Sequence, residues 1–169
     1  MSYIYAMSDI HGYADAFEES LRFVDLDSDA ENKLVLLGDY VNKGPYSMDV
    51  LYKIYHLQRR YPKQVVVLRG NHDERFLRWL MYKNKYDTFF RKPPKRTIRS
   101  FFPDGEMDKD DFDGENSSLE KARQMILNDH LPLIQWLQKL PFYYETENQI
   151  FVHAGILEDA GEWWKDETP

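Results

Sequence analysis

Three apolar, β-rich runs in this chain each lead into a short cluster that sets Asp, His or Asn beside a glycine. Tyr3–Met7 leads into Ser8-Asp9-Ile10-His11-Gly12. Leu34–Leu37 leads into Gly38-Asp39-Tyr40-Val41-Asn42-Lys43-Gly44, and Gln64–Leu68 into Arg69-Gly70-Asn71-His72-Asp73-Glu74. Helix-periodic segments separate the runs. Between Asp15 and Val24, residues Phe17, Leu21 and Val24 recur at i, i+4 and i+7. Ser47 is placed to cap a second helix with a Met48, Leu51, Tyr52, Tyr55 stripe, which Tyr61-Pro62 would end. Such a β-α-β-α-β succession predicts an α/β fold with parallel strands and right-handed crossovers. The short, wholly apolar runs fit strands covered on both faces. In open sheets of that kind, ligands collect at the carboxyl ends of the strands, where all three clusters fall.

Further along, Asp73 to Tyr82 reads as helix. Arg91 to Arg99 holds five basic residues and two prolines, and Asp104 to Glu115 seven acids against one lysine. Neither has useful periodicity, so both are expected to form a loop insertion with a solvated surface. Helical character returns from Leu119 toward Lys139, with a break at Pro132. Phe142–Tyr144 and Gln149–Val152 then read as paired strands around a Glu147-Asn148 turn, and they deliver Val152-His153-Ala154-Gly155. The expectation is one domain over residues 1–169, with a helical and charged insertion over about 80–140.

Composition excludes several classes. Hydrophobic residues make up 43% and aromatics 15%, enough for a buried core. With no cysteine, disulfides and thiolate zinc sites are excluded. A net charge of −7 argues against nucleic acid as a partner, and no run is long enough to span a membrane. No secretory signal is visible, so a cytoplasmic location is expected. His56 and His130 lie in helical stretches without partner motifs and are assigned to structure.

The remaining Asp, Asn and His residues are donors that first-row divalent cations accept. Asp9 and His11 lie two apart, so an extended backbone would point both toward one cation. Asp39 can bridge two cations with its two oxygens, Asn71 offers a carbonyl oxygen and His153 a second imidazole. Two cations about 3.5–4 Å apart would orient a bridging hydroxide for in-line attack on a phosphoester. Taken alone, each cluster is an ordinary cap or turn; four of them beside strands point to a hydrolytic site.

The chain resembles the calcineurin-like metallophosphoesterases, and among them the phosphoprotein phosphatases of bacterial and phage type. The family fingerprints GDxHG, GDxVDRG and GNHE stand here as SDIHG, GDYVNKG and RGNHDE, with VHAG later. The resemblance implies a β-sandwich flanked by helices and two divalent metals, manganese foremost, with iron or zinc as alternatives. It implies that Asp9, His11 and Asp39 hold the first metal, and Asp39, Asn71 and His153 the second. His72 would protonate the leaving alkoxide, Asn42 would orient it, and Lys43, Arg69 and Asn71 would contact the phosphate.

Three departures accompany the resemblance. Asn42 replaces an aspartate, so the histidine partner is a neutral amide that cannot favour imidazolium as a carboxylate would. Lys43 replaces an arginine, so a point charge stands in for a forked guanidinium. The family continues to a Gly-His-Thr motif and a phosphate-binding arginine, whereas no His or Arg follows His153 here. The fold is thus expected to be C-terminally incomplete relative to the family. An exposed edge and the Gly161-Glu162-Trp163-Trp164 tail would then invite oligomerisation. The resemblance implies a metal-dependent phosphatase acting on phosphoserine or phosphothreonine in proteins. The alternatives are a dinucleoside polyphosphate hydrolase, or a non-catalytic binding module of the same fold.

Overall fold

A computed structural model of the chain describes residues 1–81, 94–102 and 116–156. The acidic run from Asp104 to Glu115, residues 91–93 of the basic run, and the Trp163-Trp164 tail lie outside the described residues.

Lys33–Leu36 forms β2, the middle strand of a three-stranded parallel sheet. Its Leu34, Val35 and Leu36 have no exposed surface, as a strand covered on both faces requires. β1 (Ile4–Met7) lies on one side, with Ala6 opposite Val35, and β3 (Val65–Val67) on the other, with Val66 opposite Val35. β1 is the edge strand and alternates between exposed and half-buried residues. Helix α1 (Ala14–Leu21) links the first two strands and α2 (Ser47–Arg60) the next two. α3 (Asn71–Met81) starts inside the third motif. Then follow α4 (Lys95–Ser100), α5 (Asn116–Asp129), α6 (Leu131–Gln138) and an antiparallel pair, β4 (Tyr143–Glu145) with β5 (Ile150–Val152).

Three local expectations change. α1 stops at Leu21 instead of reaching Val24, because Phe23 and Val24 donate to Ser20 and Leu21 in tighter three-residue turns. Ser47 is not a cap: Tyr46 takes that position without a side-chain bond. The Ser47 side chain is buried instead, beneath α4. The fully buried row of α2 is Ser47, Val50, Leu51 and Ile54, so the core-facing stripe is rotated from the expected one. Met48, Tyr52 and Tyr55 flank it, half-buried.

The larger difference is α4. Lys95–Ser100 is helix rather than loop because Ile98 is fully buried and Phe101 nearly so, both in the common core. The Thr97 hydroxyl accepts from the Asn42 N–H at 2.9 Å, and the Ser100 hydroxyl accepts from the Met48 N–H at 3.0 Å. Charge density in the sequence hid two core residues and two hydroxyl anchors. Pro132, by contrast, falls in the first turn of α6, where a missing N–H costs nothing.

Beyond the strand ends, the motif loops run too close together for side chains. Gly38 sits at φ 108°, and a Cβ there would collide with the Gly70 backbone nitrogen. Gly38→Ala therefore combines an unfavourable backbone with overpacking, and is expected to lose about 2–4 kcal/mol of stability, read from urea unfolding.

Candidate metal centre

Hydrogen bonds of the sheet continue past β1 and β2 into the loops. Asp9 N–H donates to Gly38 at 3.2 Å, His11 N–H to Asp39 at 2.8 Å, and Gly12 N–H to Tyr40 at 2.8 Å. The third loop is tied to the second by Asp73, whose side chain is fully buried. Its carboxylate accepts from Asp39 N–H at 2.8 Å, Tyr40 N–H at 2.9 Å and Gly70 N–H at 3.0 Å. Burial pushes this carboxyl up to about 7, against those three donors.

The motif backbone is not extended. Asp9, His11, Asp39, Asn42 and Lys43 take φ values of 57°, 50°, 59°, 70° and 61°, in the left-handed region. Non-glycine residues there cost about 1–3 kcal/mol each, and such strain clusters where function positions side chains. Asp9 and His11 thus converge through two left-handed residues rather than through strand alternation, a correction to the extended geometry expected from their spacing.

The side chains meet around Asp39, which is 3% exposed. Asp39 Oδ2 lies 3.6 Å from His11 Nε2 and 4.0 Å from His72 Nε2, and Oδ1 lies 3.4 Å from His153 Nε2. Asp9 Oδ1 is 3.3 Å from His11 Nε2. Two of the imidazoles are oriented by backbone carbonyls: Nδ1–H of His11 donates to Val41 at 2.8 Å, and that of His153 to Leu37 at 3.1 Å. Each thereby turns its Nε2 toward Asp39, the arrangement that backbone carbonyls give metal-binding histidines. His11, Asp39 and His72 offer ligand atoms that all lie within 4.8 Å of one another. The oxygen and imidazole donors of Asp9, His11, Asp39 and His153 gathered here fit a divalent transition metal.

The remaining expected residues divide. Asn71 is the exposed first residue of α3, directly before His72. Asn42 Nδ2 meets His72 Nδ1 at 2.8 Å. Lys43 Nζ lies 2.7 Å from His11 Nε2, on the lone pair that a cation would take, so loading that nitrogen requires Lys43 to swing aside. Arg69 is engaged elsewhere: it donates to the Gln138 carbonyl at 3.2 Å, pairs with Glu74 at 3.4 Å and stacks on Phe142. Thr97 and Asp73 belong to the site but carried no functional expectation. For Asp73 the signal was its place in the third motif, and for Thr97 the local sequence held none.

The pattern of the calcineurin-like phosphoesterase family matches residues 2–169. The chain belongs to that family. This phosphoesterase is 30% identical over 156 residues to the symmetrical bis(5'-nucleosyl)-tetraphosphatase of Chromobacterium violaceum, covering 91% of the chain and 43% of the relative. The chain therefore spans less than half the length of that relative. Among solved structures it is similar to a putative diadenosine tetraphosphatase (TM-score 0.52, 24% identity, 90% of this chain and 50% of that one). It is also similar to a protein serine/threonine phosphatase from Saccharomyces cerevisiae (TM-score 0.57, 17% identity, 99% and 46%). At these identities the structures establish the metallophosphoesterase fold, with its parallel sheet and flanking helices. Among the described residues, no helix is long and apolar enough to cross a membrane.

Electrostatics of the site follow from the Asp39 contacts. Burial raises the Asp39 pKa, but the His153 ring and the His72 N–H outweigh it and hold the carboxyl below its ordinary 3.8. The bond to Asp39 holds His153 above its ordinary 6.5. The Asp39 contribution to stability is present above 3.8 and lost as pH falls through the lowered value. That of His153 is present below 6.5 and lost as pH rises through the raised value. In chelator, stability should fall on the alkaline side, and His153→Gln should flatten that limb. A pH–stability profile unchanged by the substitution would contradict the pairing. Backbone strain is tested separately at Asp9: Asp9→Ala should be about 1–2 kcal/mol less stable than Asp9→Gly, because only alanine keeps the left-handed penalty. Chemical denaturation of the two variants measures the difference.

Proposed function

We propose that this phosphoesterase domain hydrolyses phosphate bonds with two divalent cations, and that its preferred substrates release a nucleotide phosphate. The observation that carries the hydrolytic reading is the convergence of His11, His72 and His153 on the single carboxylate of Asp39, with Asp9 against His11. Asp9, His11 and Asp39 would hold one cation, and Asp39, Asn71 and His153 the other, manganese foremost among the candidates. When bound, such cations activate water and neutralise charge on phosphoryl oxygens. The chain itself fixes the imidazoles through Val41 and Leu37, supplies Lys43 as a positive charge for phosphate, and presents His72 Nε2 toward the leaving oxygen.

The neutral amide of Asn42 at His72 supports the nucleotide reading. Phosphoserine and phosphothreonine release an alkoxide that needs a proton in the transition state, and a positioned acid contributes about 10²–10⁴ in rate. Burial already lowers the His72 pKa, and no carboxylate sits on its Nδ1 to offset this. A dinucleoside polyphosphate releases a phosphate that departs without a proton, so it tolerates a weak acid. The named Chromobacterium relative supports the same reading. Protein phosphoserine and phosphothreonine form the second reading, favoured by the motif set.

With manganese added, the chain should cleave p-nitrophenyl phosphate, and Asp39→Asn should lower the rate about 100-fold or more. Equal rates in both proteins would refute the site. Diadenosine tetraphosphate should be cleaved faster than a phosphoserine peptide, and the reverse order would overturn the substrate assignment. Asn42→Asp should raise peptide turnover selectively, which kcat on the two substrates measures.

A further inference from the structure

We propose that Thr97, on α4, is a positioning residue of this site: its hydroxyl fixes which way the Asn42 amide faces, and so which nitrogen of His72 carries hydrogen. The proposal rests on the reading of His72 as the group facing the leaving oxygen.

Thr97 is fully buried and lies 55 residues from Asn42 in sequence. Its Oγ1 accepts the Asn42 backbone N–H at 2.9 Å and stands 3.0 Å from the Asn42 side-chain Oδ1. One lone pair is therefore spent on the amide N–H, and the single hydroxyl hydrogen remains to be donated. Oδ1 at 3.0 Å is a better acceptor position than Ser47 Oγ at 3.5 Å. An asparagine amide is nearly symmetric in shape, and only its neighbours decide where oxygen and NH₂ lie. With Oδ1 taken by Thr97, the NH₂ must face His72 Nδ1, 2.8 Å away.

An NH₂ group only donates. Nδ1 of a neutral His72 must then be the acceptor, and the ring hydrogen sits on Nε2, the nitrogen on the Asp39 side. Without Thr97 the amide can turn over, putting Oδ1 against Nδ1 and drawing the hydrogen there. Nε2 would then present a lone pair to the substrate, the wrong partner for a phosphate or leaving oxygen. A neutral threonine from outside the motifs thus selects the tautomer of the motif histidine. It also holds the Asn42 backbone, at φ 70°, in its left-handed conformation.

The primary measurement is the ¹⁵N spectrum of the His72 ring in the full chain, in chelator at a pH where the ring is neutral. Native protein should show hydrogen on Nε2 and a bare Nδ1; hydrogen on Nδ1 overturns the proposal outright. Thr97→Val should shift the ring toward the Nδ1–H form, and Thr97→Ser should restore the native pattern. With manganese, Thr97→Val should lower kcat on diadenosine tetraphosphate about tenfold with KM within about twofold, and Thr97→Ser should recover it. A folded valine variant with the native ring pattern and native kcat overturns the proposal, as does a serine variant that restores neither. Should the valine variant not fold, the native and serine spectra decide. Loss of the functional reading shows differently: native chain without turnover, but with the predicted ring hydrogen, retains Thr97 as the positioning residue and removes the assigned reaction.

Discussion

One buried carboxylate holds the active surface together. Asp73 gathers backbone N–H groups from the loops after β2 and β3, which no strand pairing reaches. Without it, three amides would be buried beside the reaction site with no acceptor, at about 1–3 kcal/mol each. The carboxylate also fixes the nitrogen of Asp39 and so aims that residue's side chain between the imidazoles. Close approach of Gly38 to Gly70 completes the junction.

Stored strain and local charge follow from that junction. Left-handed Asp9, His11 and Asp39 persist because sheet-like hydrogen bonds and the Asp73 contacts over-determine their backbone, and Asn42 and Lys43 because Thr97 and Arg96 hold theirs. Lys43 and His153 supply positive character against Asp39 and its neighbours. The Lys43 ammonium at His11 lies on a flexible stem, while the imidazole is fixed by Val41.

Most of the frame was legible in the sequence because it depends on short-range pattern. Leu34 to Leu36 announced a buried strand, and the glycine-bearing clusters announced carboxyl-end loops. The Glu147-Asn148 turn announced the hairpin that brings His153 to Leu37. What was not legible depends on distant contacts. The rotation of the α2 stripe is set by α4 lying over Ser47, and α4 was hidden within charged residues. Arg69 read as a phosphate contact by position, but Phe142 and the Gln138 carbonyl engage its guanidinium. Asp9 and His11 approach each other through a left-handed backbone conformation that spacing does not encode.

The docking of α4 on the second motif has a consequence for how such a domain diversifies. The motif loops are fixed by backbone hydrogen bonds and by the buried Asp73, whereas Thr97 and Arg96 reach the second motif from a separate helix. Arg96 donates to the Lys43 carbonyl, and Thr97 holds both the backbone and side chain of Asn42. Variation in that one helix would therefore reach Asn42 and Lys43 while the loops around Asp39 stay tied by Asp73.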